Sequence, residues 1–258
     1  MSDIDEAIDW LGKTVSCESC AHQALLDDGR CRPKHACIHD RYARRIGRFL
    51  NWNPALANDY LGHPHFEVRA IAAKFADVFR LPALLIDPEE TVRWNAVLRL
   101  PYRYLLRLRE DPHREVRIRV AARLLPSDLV TMMHDSDYYV RLVVARRIEP
   151  TLLPRLIDDP EVQVRVMLAQ RIDESFLLRL ASDRDPAVRL EAVRRLPVGL
   201  LALRRDEPHW RVRYEIASRI DIDLLGRFDE DPDPMVREVA ASRRDGTGLD
   251  DTPKEGVR

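Results

Sequence analysis

The stretch DPHREVRIRVAARLLP, residues 111–126, decides the fold, because its central Val-Arg pair recurs at a constant spacing along the chain. There are eight such pairs, each 24 residues from the last, with no insertion or deletion between them. They are Val68-Arg69, Val92-Arg93, Val116-Arg117, Val140-Arg141, Val164-Arg165, Val188-Arg189, Val212-Arg213 and Val236-Arg237. A fixed period of this kind predicts a solenoid, in which each repeat buries its apolar face only against its neighbours.

The first half of each repeat has the apolar spacing of an α-helix. Seven repeats carry an acidic residue five positions before the Val, and proline usually follows it, as in Asp111-Pro112. We expect this acid to be the helix N-cap and the proline to be the first helical residue. Later prolines, such as Pro126, would then end a helix of about thirteen residues.

The second half of each repeat is short and has leucines three positions apart. The pairs are Leu81/Leu84, Leu105/Leu108, Leu153/Leu156 and Leu177/Leu180. Ordinary leucine-rich repeats place a strand here, with leucines two positions apart, whereas a spacing of three suits a 3₁₀-helix. The sequence therefore predicts an all-α solenoid that alternates an α-helix with a short 3₁₀ or α segment.

The repeated arginines admit two interpretations. On a helical wheel the Arg of each Val-Arg pair falls within the apolar arc, and acidic residues recur with the same period. We therefore expect an internal ladder, in which Arg93, Arg117 or Arg165 meets an acidic side chain or a loop carbonyl of its own or the adjacent repeat. The alternative is a nucleic-acid-binding stripe. It is not favoured, because residues 61–240 hold 30 Lys and Arg against 30 Asp and Glu.

Composition excludes several other classes of function. The net charge of the chain is −1, which gives no overall attraction to nucleic acid or acidic lipid. The acidic N-terminus does not resemble a secretory signal, and no apolar run is long enough to span a membrane, so we expect a cytoplasmic protein. Motifs for phosphate binding, zinc-dependent hydrolysis and a serine nucleophile are absent from the sequence, which predicts that the protein is not an enzyme.

All four cysteines lie in one short segment, with the spacing C-x2-C-x10-C-x5-C. They are Cys17, Cys20, Cys31 and Cys37. In a reducing compartment such a group indicates a metal site rather than disulfides. Four thiolates suit tetrahedral zinc or an iron–sulfur cluster, and the spacing alone slightly favours zinc. Three nearby histidines (His22, His35 and His39) are expected to be surface residues, since the cysteines already complete either site.

The cysteine segment and the repeats together resemble the leucine-rich repeat variant family. The resemblance extends from about Met1 to Leu249 and rests on the 24-residue period, the phrase in residues 112–126 and the four cysteines. It implies a right-handed superhelix of alternating α- and 3₁₀-helices without strands. It also implies a small helical N-terminal domain with a [4Fe–4S] cluster, whose ligands here would be Cys17, Cys20, Cys31 and Cys37.

These patterns divide the chain into four parts. Residues 1–40 form the four-cysteine domain, and residues 41–63 a joining helix or degenerate first repeat, in which Arg45 aligns with the arginine of the Val-Arg pairs. Residues 64–245 form the solenoid of eight repeats, and residues 246–258 a flexible tail. We expect the first part to cap the solenoid, with Ile46, Phe49 and Leu50 packed against the first full repeat.

Two classes of function fit this organisation. The first is a monomeric scaffold that binds a protein partner, with the cluster as a structural cap or a redox sensor. The second is an electron-transfer or nucleic-acid-binding accessory protein, and a zinc-binding scaffold is a further alternative. The resemblance implies no established activity, although an accessory role near metalloenzyme systems such as nitrogen fixation agrees with it.

Overall fold

The structure is a computed structural model of the chain that describes residues 6–246. Within that range the chain forms helices and no strands, so the all-α prediction is confirmed. Its β-type pairings are three isolated antiparallel bridges, Ile8–Thr14, Asp9–Asp40 and Arg32–Ala36. None of the helices in this range is long and apolar enough to cross a bilayer. Beyond Gly246, the predicted tail lies outside the described residues, as does Leu249.

Thirteen α-helices are found within residues 6–246. They are α1 (Gln23–Asp27), α2 (Ala43–Trp52), α3 (Phe66–Ala72), α4 (Glu90–Arg99), α5 (Tyr102–Leu105), α6 (Arg114–Ala121), α7 (Tyr138–Arg147), α8 (Val162–Arg171), α9 (Leu177–Leu180), α10 (Pro186–Arg195), α11 (Val198–Leu201), α12 (Trp210–Arg219) and α13 (Pro234–Arg244). The 3₁₀-helices are Pro54–Tyr60, Val78–Ile86, Leu106–Leu108, Pro126–Met132, Pro150–Leu156, Glu174–Phe176, Ala202–Arg204 and Ile222–Phe228.

The α-helix and the short segment alternate as the leucine spacing predicts. In three repeats the short segment combines one α-helical turn with a 3₁₀ turn, at α5, α9 and α11. The Val of every Val-Arg pair is buried, and so are the leucines spaced by three, such as Leu153 and Leu156. Residues 41–63 show the same alternation, with α2 followed by Pro54–Tyr60.

The predicted helix start is wrong. Each long helix has its N-cap three positions before the Val, two residues later than expected, as at Asp137, Asp185 and Asp233. The side chains of those three residues accept hydrogen bonds from helix amides. The acidic residue five positions before the Val has another role: it closes the loop by accepting a hydrogen bond from the amide two residues later. The long helices of the repeats consequently span 7 to 11 residues rather than thirteen.

The internal arginine ladder is confirmed. In each case the Nε and Nη2 atoms of the arginine bind the carboxylate 18 residues later, with Nε–oxygen distances of 2.7–2.9 Å. Pairs of this kind are Arg69–Asp87, Arg93–Asp111, Arg141–Asp159, Arg165–Asp183, Arg189–Glu207 and Arg213–Asp231. The Nη1 atom donates to carbonyls of the loop before its own helix; Arg117, for example, contacts Asp111 O at 2.9 Å. In these pairs the arginine therefore ties its own loop to the next one.

The pKa values of the ladder carboxyls reflect this contact. Burial acts to raise the pKa of Asp183, but the hydrogen bonds from Arg165 and from the Asp185 amide outweigh it, so the pKa lies below its ordinary value. The same balance lowers the pKa of Asp87 and of Asp231. These carboxylates stabilise the fold while they are charged, and that contribution is lost as the pH falls through their lowered pKa values.

A second set of arginines, seven positions after the Val, binds carbonyls of the preceding repeat. Arg195, for instance, donates from Nη1 to Ala169 O and from Nη2 to Ile172 O, each at 2.8 Å. The same contacts recur at Arg243, whose Nη1 atom donates to Ala217 O and to Ile220 O. These arginines donate hydrogen bonds to carbonyls at helix C-termini, for which the helix itself offers no amide donor.

The described residues form two compact units, divided between Asp128 and Leu129. In the first unit one buried core runs from the cysteine segment into the repeats. It includes Cys31, Ala36, Ile38, Ile46, Phe49, Leu50, Val68, Ile71, Leu81 and Leu100. The predicted packing of Ile46, Phe49 and Leu50 against the first full repeat is thereby confirmed. The second unit holds α7–α13 and buries its own series of Val and Leu side chains.

We predict that Arg165→Ala destabilises the protein by about 3 kcal/mol, because it leaves the buried Asp183 carboxylate without its partner. The two side chains are only 3 % and 9 % exposed. Urea unfolding followed by circular dichroism measures the effect.

Arg179→Ala is the matched control, since it removes an ion pair with Asp158 in which the side chains are 59 % and 79 % exposed. Its unfolding midpoint should equal that of the wild type. Equal midpoints for Arg165→Ala and Arg179→Ala would contradict the structural role of the ladder.

Candidate metal centre

Cys17 and Cys20 lie on one turn, in which the Cys20 amide donates to Cys17 O at 3.3 Å. Helix α1 follows this turn directly and leads the chain back toward it. The amide of Cys31 then donates to Leu25 O at 2.9 Å, which fixes Cys31 against the end of that helix. Both Cys17 and Cys20 are partly exposed, whereas Cys31 is buried.

A tight turn separates Cys31 from Cys37. It is closed by the pairing of Arg32 with Ala36, whose amides and carbonyls exchange two hydrogen bonds of 2.8 Å. Lys34 lies at its tip with a φ of +62°, in the left-handed region. Cys37 itself is buried, and its amide donates to Arg45 O in α2 at 3.3 Å. Cys37, at the end of this turn, therefore lies against α2.

The four thiols fit an iron–sulfur cluster or zinc by the chemistry of their donor set. All four cysteines are free of disulfide bonds. The Cys31 thiol donates to Ala36 O at 3.4 Å, and the charges of Cys20 and Cys17 act on Cys31. Within residues 6–246, however, no three His, Cys, Asp or Glu side chains are close enough together to hold a metal ion. The ligand set Cys17, Cys20, Cys31 and Cys37 therefore stays a prediction.

A backbone amide is directed at the sulfur atom of Cys20. The His22 amide donates to Cys20 Sγ at 3.4 Å. Amide hydrogen bonds to ligand sulfur stabilise thiolates and tune the potential of iron–sulfur clusters. This contact agrees with a role of Cys20 as a ligand.

Burial dominates the acidity of the two inner thiols. It raises the pKa of Cys37 to about 12, and the charges of Cys31 and Asp40 act in the same direction. Burial also raises the pKa of Cys31, with smaller increases from the charges of Cys20 and Cys17. Thiols of this kind deprotonate when they bind a metal cation, because the positive charge of the cation stabilises the buried thiolate.

The three histidines of the segment differ in position. His35 is exposed, as expected, but His22 and His39 are half-buried, which the sequence did not predict. Burial lowers the pKa of both, and the charge of His39 lowers that of His22 further, partly offset by Asp59. The His22 ring contacts the ring of Phe49, with centroids 5.3 Å apart. These two histidines therefore belong to the packing around the cysteines.

Two residues missed by the sequence analysis hold the cysteine segment in place. Tyr60 hydrogen-bonds through its hydroxyl to His22 Nε2, and burial, together with the charge of Cys20, raises its pKa to about 12. Asn53 is buried and donates from Nδ2 to Arg30 O at 2.8 Å and to Phe49 O at 2.9 Å. The Tyr60–His22 and Asn53–Arg30 contacts join residues that are distant in sequence, and no local motif indicates them.

Arg45 departs from the ladder to which it aligns. The position 18 residues later is His63, which offers no carboxylate. Arg45 instead donates from Nη1 to Asp40 Oδ2 and to Glu6 O, both at 2.9 Å. The Asp40 side chain is fully buried in this pair. The first ladder arginine thus binds the cysteine segment rather than the next repeat.

Comparison with known proteins agrees with this organisation. The family described as "LRV protein FeS4 cluster" matches residues 7–59, which include all four cysteines and the first α/3₁₀ unit. A solved structure described as "a leucine-rich repeat variant with a novel repetitive protein structural motif" is 39 % identical to the chain, with a TM-score of 0.86. The match covers 89 % of this chain and 98 % of that one. The chain belongs to the leucine-rich repeat variant family.

A curated relative from Rhodobacter capsulatus is also similar to this member of the family. It carries the name "uncharacterized 27.7 kDa protein in nifB 3'region" and is 50 % identical over 101 residues. The aligned part spans 39 % of this chain and 41 % of the relative. Together with the family match at residues 7–59, the repeat fold identifies an iron–sulfur-containing repeat protein.

We predict that Tyr60→Phe accelerates loss of iron to a chelator about fivefold, the rate equivalent of ~1 kcal/mol for one hydrogen bond. The substitution removes the partner of His22, whose amide holds Cys20 Sγ. Bleaching of the visible absorption after chelator addition measures the rate.

Tyr104→Phe is the matched control, because it removes a hydroxyl bound to Arg103 Nη2 at 3.3 Å, in the repeats. It should lose iron at the wild-type rate. An unchanged rate in Tyr60→Phe would show that the tyrosine contact does not stabilise the metal centre.

Proposed function

We propose that the protein is a non-enzymatic scaffold that binds a partner protein, and that its iron–sulfur centre is a structural cap for the first repeats. The observation that carries the proposal is the buried core that joins the cysteine segment to the first repeats. Cys31, Ala36 and Ile38 are buried in the same cluster as Phe49 and Val68. The ordering of the cysteine loop is therefore coupled to the burial of apolar side chains in the first repeats.

The proposed cofactor is a [4Fe–4S] cluster ligated by Cys17, Cys20, Cys31 and Cys37. The family match over residues 7–59 and the amide hydrogen bond from His22 to Cys20 Sγ support it. When bound, such a cluster supplies a covalent cross-link among its four ligands and can accept or release one electron. Zinc is the alternative, since it takes the same four thiolates.

Exposed apolar side chains support the binding role. Large apolar residues lie on the solvent-facing side of several short segments, most prominently Ile86 at 88 % exposure and Phe79 at 77 %. In the second unit, Leu203, Ile222 and Leu224 are exposed on segments of the same kind. Exposed apolar groups of this size fit contact with another macromolecule.

The charged groups along the repeats support a scaffold over an enzyme. A cavity of about 460 Å³ next to the Arg165–Asp183 pair is lined largely by charged side chains. These side chains are already paired: Arg179 binds Asp158, and Arg184 donates to Pro160 O at 3.1 Å. The charged groups of this cavity therefore link neighbouring repeats, which is a structural role.

An electron-transfer or redox-sensing role is the second candidate. The partial exposure of Cys17 and Cys20 favours it, because exchange of electrons requires an approach to the centre from solvent. The name of the Rhodobacter capsulatus relative places that protein next to nifB. We propose by extension that the present protein has an accessory role near nitrogen-fixation metalloenzymes.

Protein purified without oxygen should contain about four iron and four sulfide per chain and show the broad visible absorption of an iron–sulfur cluster. Iron, sulfide and zinc analysis tests the cofactor, and Cys31→Ser should remove the absorption. One equivalent of zinc with no sulfide would reject the cluster and leave the zinc alternative.

Removal of the metal should loosen the first repeats and leave the later ones folded, because coupling in a solenoid passes through neighbouring repeats. Hydrogen exchange on metal-free protein should show protection lost around residues 40–90 and kept around residues 140–220. Unchanged protection in both regions would contradict the cap and favour the redox role. Collapse of the whole array would mean that the repeats cannot fold without it.

A further inference from the structure

The segment that contains Cys31 and Cys37 continues into the most basic stretch of the chain. Residues 30–48 contain seven Arg and Lys but a single acidic residue, Asp40. Asp40 is already engaged with Arg45 in a buried ion pair. The other cations of this stretch are therefore not neutralised from within it, although the whole chain has a net charge of only −1.

These cations converge from two elements. Arg32 and Lys34 lie on the turn between the two cysteines, next to His35, and Arg44 and Arg48 lie four residues apart on one face of α2. Arg48 Nη1 donates to His35 O at 2.9 Å and lies 2.8 Å from His35 Nδ1, which fastens the turn to the helix. We call these five residues the basic face.

The basic face lacks carboxylate partners within the described part of the chain. In residues 6–246, none of Arg32, Lys34, Arg44 and Arg48 forms an ion pair. The ladder arginines of the six pairs named above, in contrast, bind a carboxylate of the next repeat. Like charges at positions i and i+4 of a helix, such as Arg44 and Arg48, repel each other. A bound carboxylate would relieve this repulsion beside the cysteines.

The basic face is also held rigid and borders an aromatic side chain. The Arg32–Ala36 pairing fixes the backbone of the turn. The half-buried ring of Trp52 lies against the ring of His35, with centroids 5.6 Å apart. Arginine and tryptophan are the residues that most often contribute strongly to protein–protein binding, and little ordering is needed when the backbone is already fixed.

We propose that the basic face, Arg32, Lys34, His35, Arg44 and Arg48, is a docking surface for an acidic surface of a partner protein. This inference rests on the proposed function, in that the partner is a protein, and it adds the chemistry of the contact. The bound partner would lie directly next to Cys31 and Cys37, since three of the five residues belong to the turn between them.

An acidic protein fits this surface better than a nucleic acid does. The face is compact and is confined to one turn and one helix, whereas nucleic-acid sites extend positive charge along a track of phosphates. Residues 61–240 do not prolong it, because their 30 basic residues are balanced by 30 acidic ones. Local charge complementarity with an aromatic anchor is typical of protein interfaces.

The test measures binding of a fluorescent polyglutamate peptide at low salt to the full chain with its metal centre. Arg32→Glu combined with Arg44→Glu should weaken binding about tenfold or more, and rising salt should remove the difference. Arg146→Glu combined with Arg211→Glu is the control, because it changes the same number of exposed charges in α7 and α12. If the first variant does not fold, Lys34→Gln with Arg44→Gln replaces it.

Equal weakening by the two glutamate variants would overturn the proposal, because only net charge would then matter. Tighter binding of a single-stranded DNA of the same length, abolished by Arg32→Glu with Arg44→Glu, would assign the face to nucleic acid instead. Dimers of the wild type that dissociate in this variant would assign it to a second copy of the chain. Hydrogen exchange on metal-free protein reports on the cap separately, so failure of one proposal is distinguishable from failure of the other.

Discussion

The structure of the repeats depends on one contact, the ion pair between the arginine of a Val-Arg pair and the carboxylate 18 residues later. Such a pair is costly to bury, and the cost is offset here because almost every donor of the guanidinium finds an acceptor. Arg165, for example, binds both Asp183 oxygens and two carbonyls of its own loop. The contact spans a helix, a short segment and a loop, so it links neighbouring repeats at a fixed register.

That register explains why the period tolerates no insertion across eight copies. An extra residue between the arginine and the acid would displace the carboxylate from the planar guanidinium and leave two buried charges unpaired. An insertion in the rest of the repeat, between the acidic residue and the next Val-Arg pair, would separate the arginine of that next pair from the loop carbonyls five and six residues before it. The same pairing balances the charges of the repeats, whereas within residues 6–246 Arg32, Lys34, Arg44 and Arg48 beside the cysteines form no ion pair.

The sequence predicted the fold well because its signals are repeated. The spacing of three between Leu153 and Leu156 specified a 3₁₀ segment, and the position of Arg165 on the helical wheel indicated a buried partner. The helix start was misplaced because an acidic residue followed by proline fits two local structures equally well. Competition for its carboxylate decided the outcome: the arginine of the preceding repeat and a loop amide bind Asp183, so Asp185 becomes the cap. That competition depends on a contact between residues 18 positions apart, so the local sequence does not reveal it.

The metal centre was less predictable for the same physical reason. The spacing of the four cysteines predicts a donor set, but the contacts that hold the cysteine segment, such as Tyr60 to His22 and Asn53 to Arg30, join segments 38 and 23 residues apart. One departure from the repeat does carry information in the sequence. Arg45 occupies a ladder position, yet the residue 18 positions on is His63, so its charge requires a partner elsewhere.

The partner of Arg45 shows how the array ends. A solenoid leaves its terminal repeat without a neighbour, so both its apolar face and its ladder arginine need a substitute. Asp40 supplies the carboxylate, while Ala36 and Ile38 supply the apolar cover. All three residues lie within nine positions of Cys31. Because metal binding and folding are coupled in small metal-binding domains, ligation of these cysteines would order the substitute for the missing repeat and thereby stabilise the repeats that follow.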